Sequence, residues 1–316
     1  MQTLTALFIG LGSIGTRHLK NLSALCGARG IALQADALRS DPSRPLRPGT
    51  AELLRRQITD PAALGHYDLA FITNPTSLHA GALGLVRGKA DALFIEKPIF
   101  SAEQTGLDLS ALLEPGQKAY VAAPMRWCGV MLALKDRLPG LHPYCARVIC
   151  SSYLPDWRPG VDYRTVYSAH KAMGGGVTID LIHEWDYLVE LFGVPEQLYN
   201  FKGTYSDLEI DSYDLSVYIA RYPTLLAEVH LDYFGRGYRR SIELFCHDGS
   251  YLADFGAGTL TLPDGTVQHY EEDVNRRYER EMEYFVDYAL TGSGESCNPP
   301  ALALNVLKLT LGENVQ

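Results

Sequence analysis

Apolar and polar positions change rhythm part-way along the chain. Up to about residue 123, short unbroken apolar runs alternate with segments of helical period. Leu4–Ile9 is the first run, and a glycine ends it. Runs of this kind read as parallel strands buried on both faces. Ile14, Leu19, Leu22 and Leu25 then recur at helical spacing, and Ile31–Leu38 reads as the next strand. The Pro- and Arg-rich stretch Asp41–Pro48 is a loop, and Ala51–Gln57 a short helix. Leu69–Ile72, Ala92–Ile95 and Ala119–Ala123 read as further strands, with a helix over His79–Lys89. Strands and helices alternating at this spacing imply right-handed crossovers and an α/β fold with a doubly wound parallel sheet.

After Pro139 the period changes to two. Ala146–Tyr153, Tyr213–Arg221, Leu225–Tyr233, Arg240–Phe245 and Gly249–Phe255 alternate apolar with polar, the pattern of antiparallel strands covered on one face. Helical patterns interrupt them at about 175–192 and 271–290. The change predicts two domains, 1–123 and 124–316, the second of α+β type. A length of 316 residues suits that number at roughly 150 residues per domain.

Charge and composition then narrow the function. Twenty-eight basic residues against 37 acidic ones give a net charge of −9, the wrong sign for a nucleic-acid binder. No run of roughly 18 apolar residues suggests a membrane span. The opening residues lack the charged start and cleavage site of a signal peptide. Six cysteines without a CxxC pair read as reduced thiols, which fits a cytoplasmic protein. Nineteen tyrosines exceed the ten phenylalanines and three tryptophans. An apolar ring with a hydroxyl suits a polyol or sugar pocket, and equally a sheet or oligomer interface.

The densest chemistry begins at Gly10-Leu11-Gly12-Ser13-Ile14-Gly15, a GxGxxG turn between an apolar strand and a helix. That context makes it a dinucleotide turn. The first glycine permits the bend, the second lets backbone approach a pyrophosphate, and the third lets helix and strand pack closely. Asp36 has the spacing to hold the ribose 2′-hydroxyl of NAD. If the strand runs on to Leu38, however, Arg39 and Ser40 stand at its end and suit the 2′-phosphate of NADP. The lean is to NADP, with NAD open. Thr73-Asn74-Pro75, with His79 soon after, and Glu96-Lys97-Pro98 each follow a strand, at the sheet edge where α/β proteins bind ligands. Pro98 marks a rigid turn that is sometimes cis.

Gly174–Gly176, Asp180 and His183 form a second dense site. The glycines let backbone approach a ligand. Asp180 and His183 are three apart, hence on one face of the following helix. A histidine paired with a carboxylate is a natural general base near neutral pH. His-Glu-Trp-Asp lacks the second histidine of a zinc protease, and no metal is expected. Between strand and glycines lies the loop Tyr153–Tyr167. Its Trp157 and Tyr163 can stack on a sugar or nicotinamide, and its Arg158 and Arg164 can hold a phosphate or carboxylate. A self-packed Ω-loop is the competing reading. Arg126, after the linker strand, is a further candidate for the same cleft.

Taken in order, GxGxxG, TNPxxxH, EKP and GGG…D…H resemble the Gfo/Idh/MocA family of sugar and inositol oxidoreductases over essentially the whole chain. The resemblance implies an N-terminal Rossmann domain and a C-terminal domain with a large, mostly antiparallel open sheet, often used for oligomerisation. Lys97 matches the family's EKP lysine, and Asp180 and His183 its D…H pair. Many members place the histidine four residues after the aspartate, one more than here. The DLxHExD form, the GSIGxRHxxNL start and the loop YLPDWRPG resemble a subgroup whose members look like enzymes acting on nucleotide sugars or phosphosugars in surface-glycan pathways.

These features predict an NAD(P)-dependent oxidoreductase that moves hydride between a sugar hydroxyl carbon and nicotinamide. His183 is the first choice of base, oriented by Asp180, and Lys97 polarises the oxygen or is itself the base. A homo-oligomer, dimer or tetramer, is expected through the C-terminal sheet. Two other readings stay open. One is a dinucleotide- and sugar-binding regulator; the other is a lyase or glycosidase that uses tightly held NAD transiently.

Overall fold

The structure is a computed structural model and describes residues 2–315. The chain divides into two compact units, Met1–Pro124 with Tyr278–Leu304, and Met125–Arg277 with Asn305–Gln316.

In the first unit the apolar runs form β1 (Thr3–Ile9), β2 (Ala32–Leu38), β3 (Leu54–Ile58), β4 (Tyr67–Ile72), β5 (Ala90–Ile95) and β6 (Lys118–Val121). All pair in parallel, in the order β3-β2-β1-β4-β5-β6. This is the doubly wound order whose reversal point, between β1 and β4, opens a ligand crevice. Helices α1 (Ser13–Ala28), α2 (His79–Val86) and α3 (Leu109–Leu112) lie in the connections. The core has a simple origin in register. Phe8 pairs with Phe71, Phe71 with Phe94, and Phe94 with Tyr120, so one row of rings crosses four strands. Their centroids are 4.4, 5.3 and 5.5 Å apart, and Phe285 from the C-terminal part of the chain packs edge-on against Phe71 and Phe94. Such pairs add roughly 1 kcal/mol each beyond burial. Buried Glu281 fixes the same chain segment, accepting from the Tyr120 hydroxyl at 2.9 Å and the Ala123 amide at 2.6 Å.

One predicted element changes type. Only Ala51–Leu53 turns, as a single 3-10 turn, and Leu54–Ile58 is the edge strand β3. Arg55 and Arg56 both reach buried Asp36 on β2, where the register shifts between the Ala35–Leu54 and Asp36–Arg56 pairs and leaves Arg55 as an extra residue beside the carboxylate.

The second unit begins with α4 (Gly129–Arg137). It is built on β7 (Cys145–Tyr153), β8 (Gln197–Gly203), β9 (Leu215–Arg221), β10 (Leu226–Asp232), β11 (Phe234–Cys246), β12 (Gly249–Asp254), β13 (Thr259–Thr261) and β14 (Val267–His269). The order is β14-β13-β12-β11-β7-β10-β9-β8, antiparallel except for the β7–β10 pair. The expected large, mostly antiparallel sheet is therefore present. Ala146, Val148 and Cys150 turn to its covered face, where Trp185 packs edge-on against Tyr218 at 5.2 Å. Strand β8 has no counterpart in the sequence reading because its alternation is inverted. Tyr199 and Phe201 face out, while Asn200 bonds inward to Ser216.

The predicted helix over 175–192 is two helices, α5 (Val177–Asp180) and α6 (His183–Phe192), broken at Leu181–Ile182. Helices α7 (Val274–Thr291) and α8 (Pro300–Thr310) end the chain. Among the described residues, no helix is long and apolar enough to cross a membrane.

Candidate active site

Each unit carries its own cluster of candidate residues. In the first, the three glycines of the β1–α1 turn meet three different surroundings. Gly10 has φ +99°, and a Cβ there would lie 2.5 Å from the Asn74 amide nitrogen. At Gly15 a Cβ would lie 2.1 Å from the Gly10 carbonyl oxygen and 2.7 Å from Thr73 Oγ1. Both positions are closed by the protein itself. At Gly12 a Cβ would meet nothing within 4 Å. Gly12 and Ser13 are exposed and Ile14 half-buried, and the first turn of the 16-residue α1 has neither side-chain cap nor acidic residue. Its amides therefore face solvent with the helix dipole behind them, an arrangement that favours an anion.

The β4–α2 loop is locked onto this turn. Thr73 donates from its amide to Ile9 O at 2.9 Å and from its hydroxyl to Gly10 O. Asn74 Nδ2 donates to Leu78 O, whereas Asn74 Oδ1 is buried without a partner. An orphaned acceptor beside an open backbone cradle is what a ligand with hydroxyl or amide donors would complete. The residues thus fit a dinucleotide. Pro75 is exposed at the same turn.

Two predicted contacts of this cluster are struts instead. His79 is buried, with Nδ1 and Nε2 each 3.0 Å from a backbone oxygen, of Ile99 and Asn74 respectively. Burial holds its pKa below the ordinary value. Glu96 is buried too, and its oxygens take His18 Nε2 at 2.6 Å and the Lys97 amide at 3.1 Å. Burial alone would raise the Glu96 pKa, but His18, by hydrogen bond and charge, with Lys97 holds it below the usual carboxylate range. Both residues fix loops around the crevice and have no free polar atom for a ligand. Lys97 itself is half-buried, its peptide to Pro98 is cis, and its ammonium interacts with Glu96 through charge without a hydrogen bond among the described residues.

Asp36 also departs from its expected role. It is fully buried, and accepts from Arg55 at 2.9 and 2.6 Å, Arg56 at 2.9 Å and the Tyr67 hydroxyl at 2.7 Å. A carboxylate so enclosed is shielded from solvent and committed to its own chain. The reason is strand parity, which turns residue 36 under the sheet. Strand β2 runs on to Leu38, so Arg39 and Ser40 stand at its end.

In the second unit Asp180 ends α5 and His183 begins α6, so the helix break, and not a single helical face, sets their spacing. The carboxylate of Asp180 accepts from Tyr167 and Tyr233, each at 2.6 Å. Each carboxylate oxygen of Asp180 is thus held by a phenol. Burial, then the neighbouring Asp180 charge, pushes both phenol pKa values up, which keeps them as donors. Gly175 makes the arrangement possible, since a Cβ there would lie 2.0 Å from Tyr167 O. Gly175 thus admits its own chain, whereas a Cβ at Gly174 would meet nothing within 4 Å. Next to Asp180, Glu184 and Arg240 form a buried two-bond ion pair at 2.7 and 3.0 Å that anchors the start of α6.

The loop before the glycines is a chain of single 3-10 turns packed on itself. Trp157 donates to Ser152 Oγ at 3.0 Å and sets its ring edge-on to Tyr233. Arg158 lies over the Tyr167 ring at 5.8 Å and meets no carboxylate among the described residues. Arg164 pairs with Asp162 and Glu209, and the Tyr163 hydroxyl accepts from the Glu209 amide, so these two pin the loop. Arg126 is likewise corrected. Its guanidinium is buried, bound twice by Asp186 at 3.0 and 2.8 Å and by Glu190 at 2.6 Å. The structure therefore gathers Trp157, Arg158, Tyr167, Asp180 and Tyr233. Tyr167 closes the aromatic loop read from the sequence, whereas Tyr233 carries no sequence signal beyond the excess of tyrosine.

No protein-family model and no curated protein matches the sequence. Solved structures do match, at full length. Levoglucosan dehydrogenase, in complex with NADH and levoglucosan, aligns with TM-score 0.82 and 15% identity over 98% of this chain and 96% of its own. An oxidoreductase from Agrobacterium radiobacter, bound to NAD+, L-tartaric acid and magnesium, gives 0.79 and 18% over 98% and 95%. The WlbA dehydrogenase from Bordetella pertussis, bound to NADH and UDP-GlcNAcA, gives 0.75 and 18% over 98% and 95%. The chain has their fold. At such identity the likeness is one of architecture.

Proposed function

We propose that the chain is a Gfo/Idh/MocA-type oxidoreductase, moving hydride between a sugar hydroxyl carbon and a nicotinamide dinucleotide. The observation that carries this reading is the Gly10–Gly15 turn, closed by the protein at its first and third glycines and open only at Gly12. Gly10, Gly12, Ser13, Ile14 and Gly15 hold the pyrophosphate, and Thr73, Asn74 and Pro75 border the cofactor. The dinucleotide, when bound, supplies the hydride acceptor or donor.

Oxidation of a carbinol carbon leaves a carbonyl, so the hydroxyl proton needs an acceptor. His183, at the start of α6, takes that role. Lys97 donates to oxygen as charge develops. Asp180 fixes Tyr167 and Tyr233, and through them the Trp157 and Arg158 faces that meet the sugar. Since Arg158 lacks an internal carboxylate, a phosphosugar or nucleotide sugar is the substrate class.

A homo-oligomer forms through the open sheet face, where Tyr199, Phe201 and Ile219 are exposed. Six cysteines, none in a disulfide among the described residues, suit the reducing cytoplasm. The test is a fluorescence titration with NADPH and NADH, followed by nicotinamide absorbance with a panel of sugar phosphates and nucleotide sugars. Turnover should fall about 10²- to 10⁴-fold in His183→Ala and in Lys97→Met, with dinucleotide affinity retained. Folded, cofactor-free protein that binds neither dinucleotide sinks the reading.

A further inference from the structure

His18 stands in the second turn of α1, and its side chain is fully buried. Its ring packs on Phe94 at 4.6 Å and edge-on to Tyr278 at 6.1 Å, an apolar cage around a polar group. Among the described residues Nε2 meets Glu96 Oε1 at 2.6 Å, whereas Nδ1 has no hydrogen-bond partner. Glu96 is held below the usual carboxylate range despite its burial and therefore accepts, which makes Nε2 the protonated nitrogen.

A buried histidine and carboxylate can simply join two core elements. Two features of this pair point further. Glu96 directly precedes Lys97, and its second oxygen, Oε2, takes the Lys97 amide at 3.1 Å. The Lys97 charge in turn helps to keep Glu96 ionised. His18, Glu96 and Lys97 thus form one line from helix to lysine. That helix is α1, whose first turn carries the open position at Gly12. The second feature is energetic. A buried nitrogen without a partner costs about 1–3 kcal/mol, which an apolar side chain among the same rings would not.

We propose that His18 is a positioning residue for Lys97. Through Glu96 it holds the lysine's backbone and keeps a negative charge beside its ammonium, in register with the helix that takes the pyrophosphate. This rests on reading Lys97 as the donor to the substrate oxygen. Glutamine at position 18 retains an N–H donor on a long side chain. Leucine offers none and leaves the Glu96 carboxylate buried without its partner.

The test labels the lysines of the full chain with a limiting pulse of acetic anhydride and reads Lys97 against Lys118 by peptide mass spectrometry. Lys118 is half-buried in the same unit, its ammonium on Ala289 O at 2.8 Å, and serves as the internal standard. In His18→Leu the Lys97/Lys118 ratio should rise about fivefold or more, and in His18→Gln it should return to within about twofold of the parent. Should His18→Leu fail to fold, His18→Leu/Glu96→Gln removes the stranded charge, and the same rise is expected because the ammonium has lost its counter-charge. An unchanged ratio in whichever variant folds overturns the proposal. So does a ratio in His18→Gln as high as in His18→Leu, which would mean general loosening. If neither leucine variant folds, His18 is a core strut and the proposal falls. Titration of the parent with NADPH and NADH runs alongside. If folded parent binds neither, the oxidoreductase reading falls, while the labelling ratio still decides whether His18 holds the lysine.

Discussion

The chain has two glycine-rich turns in front of helices, and they do opposite work. At Gly10–Gly15 two glycines close on the protein and the middle one opens on solvent. At Gly174–Gly176 the middle glycine is the closed one, pressed against the backbone of Tyr167 and Ser168. Each holds three glycines, and what a Cβ would touch separates the open turn from the internal joint. The buried carboxylates differ in the same sense. Asp36 is surrounded by guanidiniums, whereas Asp180 is held by neutral phenols.

Substitutions at the closed and open positions test this contrast directly. Gly175→Ala forces a Cβ to 2.0 Å from a carbonyl oxygen, and neither backbone can yield cheaply. A loss of about 3–5 kcal/mol in chemical denaturation is expected, together with release of Tyr167 from Asp180. A near-neutral result would mean the joint is loose. Gly15→Ala should cost about 2–3 kcal/mol by the same measurement and abolish dinucleotide binding, because helix α1 must back away from Gly10.

Asp36→Asn should cost about 1–3 kcal/mol at neutral pH. Burial would raise the Asp36 pKa, yet its hydrogen bonds from Arg55, Tyr67 and Arg56 hold it below the ordinary value. A carboxylate lowered on folding stabilises above its unfolded pKa, near 4, and that stability is lost as pH falls through the lower, folded value. Acid titration of stability should thus be steeper in the parent protein than in Asp36→Asn below about pH 4. The smallest change is Gly12→Ala. Stability should stay within about 0.5 kcal/mol while dinucleotide affinity falls roughly tenfold, since the new methyl occupies the open cradle and touches no protein. Equal loss of stability at Gly12 and Gly15 would break the distinction.

Much of the parallel sheet was legible because strands buried on both faces read as unbroken apolar runs, as in Leu69–Ile72 and Ala92–Ile95. Edge strands were harder. Leu54–Ile58 carries two arginines drawn to a carboxylate on its neighbour, and Gln197–Gly203 shows its aromatic residues to solvent. Among candidate site residues, Lys97, Asp180 and His183 were visible as motifs. Their partners were not, because Tyr233 reaches Asp180 across 53 residues and Arg126 reaches Asp186 across 60. A guanidinium's role depends on whether a carboxylate is waiting for it, and local sequence shows that for Arg164 beside Asp162 but not for Arg126.

The first compact unit is assembled from both ends of the chain, with Glu281 capping Tyr120 and Ala123. A ribosome delivers the six parallel strands long before it delivers that carboxylate. At about 5–20 residues per second the wait is roughly 8–30 s. For that interval the nascent sheet exposes the row of rings that Phe285 will later cover. Synthesis rate and chaperone supply are therefore part of how this protein reaches its native state, and truncation ahead of Glu281 should yield aggregates instead of a smaller dinucleotide-binding domain.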